Sequence, residues 1–178
     1  MPIRALVDTE LQRNVLSRLG TPIQSGIWMA EDNADVRLLL NRAFKRCGTG
    51  VPMEFFLDGA AVLQKAREVG GLPKVLLLDI EMPRMNGLQV LGALARNGFP
   101  TQTTAIVFST VDDPACVEEA YALGASFYVR KPIGGVEYRQ FARFCTACVY
   151  FPVIHKPVAR ALNVAEALEI VAHESAAA

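Results

Sequence analysis

An excess of charge of either sign is the first thing this 178-residue chain lacks, since Lys plus Arg and Asp plus Glu both number 18. No net field draws in a nucleic acid or an anionic membrane, so neither is expected as a partner. No apolar run reaches the length of a membrane span, and Arg4, Asp8 and Glu10 spoil the start as a signal peptide. A cytoplasmic protein is the resulting expectation. Cysteines number four, which in a chain this size is not a disulfide scaffold. Cys145 and Cys148 have redox or zinc spacing, but they fall near the end of a helical pattern and no second pair answers them, so they read as buried structural thiols. His155 and His173 are similarly alone. The stretch MAEDNADV lacks the glycine-rich turn of a dinucleotide fold, and no GxxxxGK[ST] run occurs, which argues against hydride transfer and nucleotide hydrolysis.

What is present is organised around Val75 to Gly87, VLLLDIEMPRMNG. Val75 to Leu78 reads as a strand buried on both faces, stopping at the carboxylate of Asp79. Pro83 and Gly87 punctuate a loop, and Leu88, Leu91, Leu94 and Ala95 start a helical pattern. An acid at the carboxyl end of a central parallel strand sits where open α/β sheets hold their ligands.

The rest of the chain repeats this alternation. Residues 1–23 form an extension with one short helical pattern, and the domain proper spans 24–147. Its strands are expected at SGIWMAED, ending in Glu31 and Asp32, at Val51 to Leu57, at Val75 to Leu78, at Thr104 to Phe108, and at Ser126 to Val129. Helices follow each: one capped by Asp32 or Asn33 with a face of Val36, Leu39, Leu40, Ala43 and Phe44, one after Asp58-Gly59, one ending before the turn at Gly98 and Pro100, one opened by Asp112-Asp113-Pro114, and one from Val136 to Ala147. Short strands alternating with helices through tight turns predict a doubly wound parallel α/β sheet with helices on both faces.

On that plan Glu31, Asp32, Asp79, Ser109, Thr110 and Lys131 all fall on the carboxyl edge of the sheet. Glu31, Asp32 and Asp79 place carboxylates around one cavity, the oxygen-rich setting that Mg²⁺ accepts. Lys131 offsets their charge and can hold an anion's oxygen, and the Ser109 hydroxyl can donate to another. In outline this is a phosphoryl site with an aspartate nucleophile. The bland alternative, in which the acids merely cap helices, suits one acid better than this many groups on one edge.

On these residues the chain resembles the response-regulator receiver domains of two-component signalling, from about Gly26 to Thr146. Asp79, Met82, Pro83 and Gly87 match the D-x-x-M-P-x-x-x-G phosphoacceptor loop. The resemblance implies a flavodoxin-like sheet of strand order 2-1-3-4-5. It implies Glu31 and Asp32 as metal-binding acids, with the Glu81 backbone carbonyl as a further Mg²⁺ ligand. Ser109 becomes the hydroxyl switch and Tyr128 the aromatic switch, moving in from an outward rotamer. Lys131-Pro132 becomes the family's lysine followed by a cis-proline turn. The implied activity is Mg²⁺-dependent acceptance of a phosphoryl group by Asp79 from a sensor histidine kinase or phosphotransfer protein, with self-dephosphorylation. VFSTVDDPACVEEAYALGASFYVRKP and the aromatic stretch ending in CVYFPVIHKP look like the single-domain regulators of phytochrome-type kinases, which commonly form homodimers. A pseudo-receiver would have lost an acid or the lysine, and a haloacid-dehalogenase-like hydrolase would want an aspartate where Glu81 stands.

Residues 148–178 are too few for an independent DNA-binding domain. Phe151-Pro152 and Lys156-Pro157 punctuate an extended segment. Ala161, Leu162, Ala165, Leu168 and Ala172 then form a helical stripe that is either core cover or a dimer surface. The cluster Phe141, Phe144, Val149, Tyr150, Phe151, Val153 and Ile154 suggests a two-fold contact, and truncation before Val149 is expected to leave a folded monomer.

Overall fold

The computed structural model describes residues 26–96, 102–151 and 160–177. The strands are β1 (Ile27–Ala30), β2 (Met53–Phe56), β3 (Val75–Leu78), β4 (Thr104–Ser109) and β5 (Phe127–Arg130), all parallel, in the order β2-β1-β3-β4-β5. The helices are α1 (Ala34–Cys47), α2 (Gly59–Val69), α3 (Gly87–Arg96), α4 (Pro114–Ala122), α5 (Gly135–Tyr150) and α6 (Val164–Ala177). The expected topology is therefore observed. The helix expected within residues 1–23, the turn at Gly98 and Pro100, and the punctuation at Pro152, Lys156 and Pro157 lie outside the described residues.

Strand alternation sorts the core into two layers. Ile27, Met29, Val75, Leu77, Ile106, Phe108, Phe127 and Val129 face α1, α5 and α6, whereas Trp28, Leu76, Leu78, Ala105, Val107 and Tyr128 face the side covered by α2, α3 and α4. β1, β3 and β4 are buried along their whole lengths because neighbours flank them and helices cover both faces. The N-cap of α1 is Asn33, which accepts from Asp35 and Val36 N–H. Leu39, expected on the buried face of α1, is 40% exposed, and the burial falls on Leu40, Ala43 and Phe44.

The largest departure from expectation is the C-terminal segment. Phe141 stacks on Phe108 at 4.3 Å, and Phe144 meets Phe127 edge-on at 5.0 Å, so α5 spends its aromatics on the sheet. Leu162, Val164, Ala167 and Val171 join the same layer. The segment thus covers the core, but through a different face from the expected stripe: Leu162 is buried, Ala161, Leu168 and Ala172 are half-buried, and Ala165 is exposed. Phe141, Phe144 and Val149 are buried within the chain, Tyr150 and Phe151 are half-buried, and Val153 and Ile154 lie outside the described residues. Leu162 also pairs with the edge of β5, donating N–H to the Tyr128 carbonyl at 2.8 Å and accepting from Arg130 N–H at 2.9 Å.

These contacts bear on the truncation that was expected to leave a folded monomer. Deleting residues 160–178 removes buried apolar area and two ladder hydrogen bonds, and should lower the urea midpoint by more than Leu162→Ala, which alone should cost about 3 kcal/mol. Urea titration followed by circular dichroism measures both; a truncated chain with the full-length midpoint would contradict the assignment of this segment to the core.

Candidate functional site

The site is made where three strands end. β1 and β3 are neighbours in register, Ala30 opposite Leu78, so the residues that follow them, Glu31 and Asp79, emerge side by side. Asp79 N–H donates to the Ala30 carbonyl at 3.0 Å, carrying the ladder one step past the strands. The acidic turn after β1 is held by Arg37, whose guanidinium donates to the carbonyls of Glu31 at 2.8 Å and Asp32 at 2.6 Å. At the far side, Lys131 N–H donates to the Ser109 carbonyl at 2.9 Å, fixing the start of the loop after β5.

These constraints gather the predicted carboxylates. Ligand oxygens of Glu31, Asp32 and Asp79 lie within 4.8 Å of one another, with Glu31 and Asp79 buried and Asp32 exposed at the rim. Lys131 Nζ lies 2.8 Å from Asp79 Oδ2 and 2.9 Å from Glu31 Oε2. Burial raises the Glu31 pKa against the pull of the ammonium, while Asp79 pushes it up further. For Lys131, burial works against its charge, but the carboxylates outweigh it and hold the pKa above the usual lysine value. The lysine is therefore the firmly charged member. All the offered donors are hard carboxylate oxygens, and Glu31 Oε2 is buried without a hydrogen bond despite its ion pair. The residues fit a magnesium ion.

Ser109 and Tyr128, the residues expected to switch, occupy the wall toward β4 and β5. Ser109 is fully buried, and its Oγ accepts from Val111 N–H at 3.2 Å. The Tyr128 ring is fully buried rather than outward, and its hydroxyl donates to the Val111 carbonyl at 2.5 Å. Burial, reinforced by Cys116, pushes the Tyr128 phenol far above its usual range. The inward rotamer arises because Tyr128 alternates onto the α4 side of the sheet, where Val111 offers an acceptor. Tyr121 adds a backbone link: its hydroxyl accepts from Tyr128 N–H at 3.1 Å and donates to the Arg160 carbonyl at 3.0 Å.

The loop after Asp79 is tied at several points. Glu81 N–H donates to Asp79 Oδ1 at 3.2 Å, and Gly87 N–H donates to the Asp79 carbonyl at 2.9 Å. Gly87 is required at that approach, since a Cβ there would lie 2.5 Å from the carbonyl oxygen. The exposed Glu81 side chain accepts from the Thr110 hydroxyl at 2.6 Å. Further along, Arg84 pairs with Asp58 of the β2–α2 turn. The roles of Arg37, Arg84 and Asp58 at the site escaped the sequence reading; Asp58-Gly59 was visible as a helix start, but nothing in the spacing connects it to Arg84. The implied cis peptide before Pro132 is not observed, as no cis bond occurs among the described residues.

The family described as the response regulator receiver domain matches residues 27–143. The chain belongs to that family. Among curated relatives, this receiver chain is 32% identical over 111 residues to the probable methanogenesis regulatory protein FilR2 of Methanothrix harundinacea, covering 60% of this chain and 72% of that one. It is 36% identical over 111 residues to the DNA-binding transcriptional regulator NtrC of Escherichia coli, but spans just 22% of that protein and uses 62% of its own length. Among solved structures it resembles the response regulator RPA3017 in red light signaling of R. palustris, with a TM-score of 0.58, 27% identity, and coverage of 66% and 88% of the two chains. The match thus ends within α5, and α6 lies beyond the matched residues.

Removing the shared cation tests the electrostatics directly. In Lys131→Met, Glu31 stays buried beside Asp79 without its counter-charge, so its pKa, already raised by burial, rises further above the unfolded value. The folded state then binds a proton more tightly at Glu31, and that stability is present at low pH and lost as pH rises through the raised Glu31 pKa. Without divalent ions the variant should be destabilised by about 3 kcal/mol near neutral pH and by much less in acid. Denaturant titrations across pH check this; a pH-independent loss would contradict the shared-cation arrangement.

Proposed function

We propose that this receiver takes a phosphoryl group from a phosphohistidine of a sensor kinase or phosphotransfer protein onto Asp79, with output through protein–protein contact. The observation that carries the reading is the Asp79 carboxylate, buried at the end of β3, grouped with Glu31 and Asp32 and paired with Lys131. An Asp79 oxygen attacks phosphorus in line, the phosphorus–nitrogen bond of the donor breaks, and its electron pair returns to the imidazole. Glu31, Asp32, Asp79 and the Glu81 carbonyl would hold a magnesium ion, which would neutralise charge on the transferring oxygens. Lys131 then shifts from a carboxylate partner to a phosphoryl oxygen, and the Ser109 hydroxyl donates to another. Water later cleaves the acyl phosphate and returns Asp79 to its carboxylate.

Ser109 and Tyr128 carry the event outward. Ser109 Oγ accepts from Val111 N–H and the Tyr128 hydroxyl donates to the Val111 carbonyl, so turning Ser109 toward a phosphoryl group disturbs the same residue that anchors the ring. The α4–β5–α5 face changes by a shift between two populated states. A phytochrome-type kinase as the donor is supported by the sequence resemblance to regulators of that class and by the likeness to a regulator of red light signaling.

Acetyl phosphate with Mg²⁺ should add one phosphoryl group to the wild type and none to Asp79→Asn, as read by intact-mass spectrometry. Asp32→Ala, which removes an exposed ligand and no core volume, should label poorly while keeping its unfolding midpoint. Equal labelling of wild type and Asp79→Asn would remove Asp79 as the acceptor.

A further inference from the structure

The loop from Asp79 to α3 reverses direction at Arg84, whose φ of 64° is the one positive value at a non-glycine residue among the described residues. An L-residue in the left-handed region costs roughly 1 kcal/mol, and arginine has no short polar side chain to satisfy its own backbone there, as asparagine or aspartate would. The compensation comes from across the loop. The Arg84 guanidinium, 72% exposed, pairs with the carboxylate of Asp58, which is 1% exposed. Asp58 Oδ1 already accepts from Ala61 N–H at 2.9 Å as the N-cap of α2. Its other oxygen is the one that meets Arg84, and without the guanidinium a buried carboxylate would keep its charge with a single hydrogen bond.

The next residue is gripped by the same turn. Gly59 N–H donates to the Met85 carbonyl at 3.0 Å, and a Cβ on Gly59 would lie 2.9 Å from that oxygen and 2.2 Å from Val90 Cγ2. The first turn of α2 therefore holds two consecutive loop residues, Arg84 and Met85. Toward the N-terminus lies the Glu81 N–H bond to the Asp79 carboxylate, and toward the C-terminus the Gly87 N–H bond to the Asp79 carbonyl. A side-chain ion pair with one buried partner thus sits midway along the segment that begins and ends on Asp79.

We infer that Arg84 is a positioning residue whose ion pair with Asp58 sets the path of residues Ile80 to Asn86 and, through it, the placement of the Glu81 backbone beside Asp79. This rests on the reading of Asp79 as phosphoacceptor and of the Glu81 carbonyl as a metal ligand. Water screens the guanidinium, so the cost of losing the pair falls on the buried Asp58 carboxylate and on the loop it holds. The effect is local: loss of the pair frees the reversal at Arg84, and the Glu81 carbonyl ceases to be held in one direction.

Three substitutions in the full chain isolate this. Arg84→Asn keeps a residue that tolerates the left-handed conformation and deletes the guanidinium; Asp58→Asn keeps a cap acceptor for Ala61 and deletes the charge; Arg84→Lys restores a cation. Amide hydrogen exchange at Gly59, Glu81 and Gly87 is measured without metal, Mg²⁺ affinity by calorimetry, and global unfolding by urea. Arg84→Asn and Asp58→Asn should each speed exchange at those amides and weaken Mg²⁺ binding about tenfold; Asp58→Asn, which leaves no buried charge behind, should keep its urea midpoint, and Arg84→Asn should lower it modestly. The double variant should be no worse than either single one, and Arg84→Lys should recover most of the affinity. Wild-type exchange at the loop amides in Arg84→Asn overturns the inference, and so does equal acceleration across all sheet amides. Should the wild type take up neither Mg²⁺ nor phosphoryl group, the phosphoacceptor reading fails, while loop exchange still decides the role of Arg84.

Discussion

One ammonium group between two buried carboxylates is the interaction on which the rest depends. Lys131 follows β5, yet its partners stand at the ends of β1 and β3, with β4 in between. Neighbouring strands lie about 4.8 Å apart, so the cation must cross the end of β4 to arrive. A long, flexible stem is what makes this possible, and its head passes 5.8 Å from the centre of the Phe108 ring on the way. Strand order, the identity of the cation and the burial of the acids are therefore one arrangement. With Asp32 at the rim the group still holds more negative than positive charge, which is why a second cation suits it.

Much of this was legible because the fold puts the tell-tale residues at strand ends. Continuous apolar runs such as Val75 to Leu78 announced buried parallel strands, and the abrupt acid, hydroxyl or lysine after each announced the carboxyl edge. The gathering of Glu31, Asp32, Asp79 and Lys131 followed from topology alone. What stayed hidden depends on distance in sequence. Asp58 and Arg84 are 26 residues apart and meet across two loops, and no periodicity connects them. The Tyr128 rotamer turned on whether Val111 would offer its carbonyl, a matter of loop path rather than residue type.

The C-terminal segment shows a different limit. An apolar stripe says that something is buried and leaves the burying surface unnamed. Phe141, Phe144 and Val149 looked like more apolar surface than a small receiver needs, and would be so if the layer under α5 ended at β5. Leu162, Val164, Ala167 and Val171 extend that layer past the sheet, and the surplus is absorbed. The same segment reaches Tyr128 from its backbone side, through Leu162 and through the Tyr121 hydroxyl, while the ring faces the opposite layer.

The pairing of Leu162 with β5 also bears on what the sheet offers to stray strands in a crowded solution. A parallel sheet ends in two rows of unpaired amides and carbonyls, each a template on which a stray strand can lay itself down. On the β5 side the Tyr128 carbonyl and Arg130 N–H are already taken by the chain's own tail. On the β2 side the strand is four residues long, and it presents Glu54, ion-paired to Lys65 at 3.0 Å, as a charge beside any would-be partner. Protein of this shape is guarded against edge-to-edge growth by occupancy at one rim and by brevity and charge at the other.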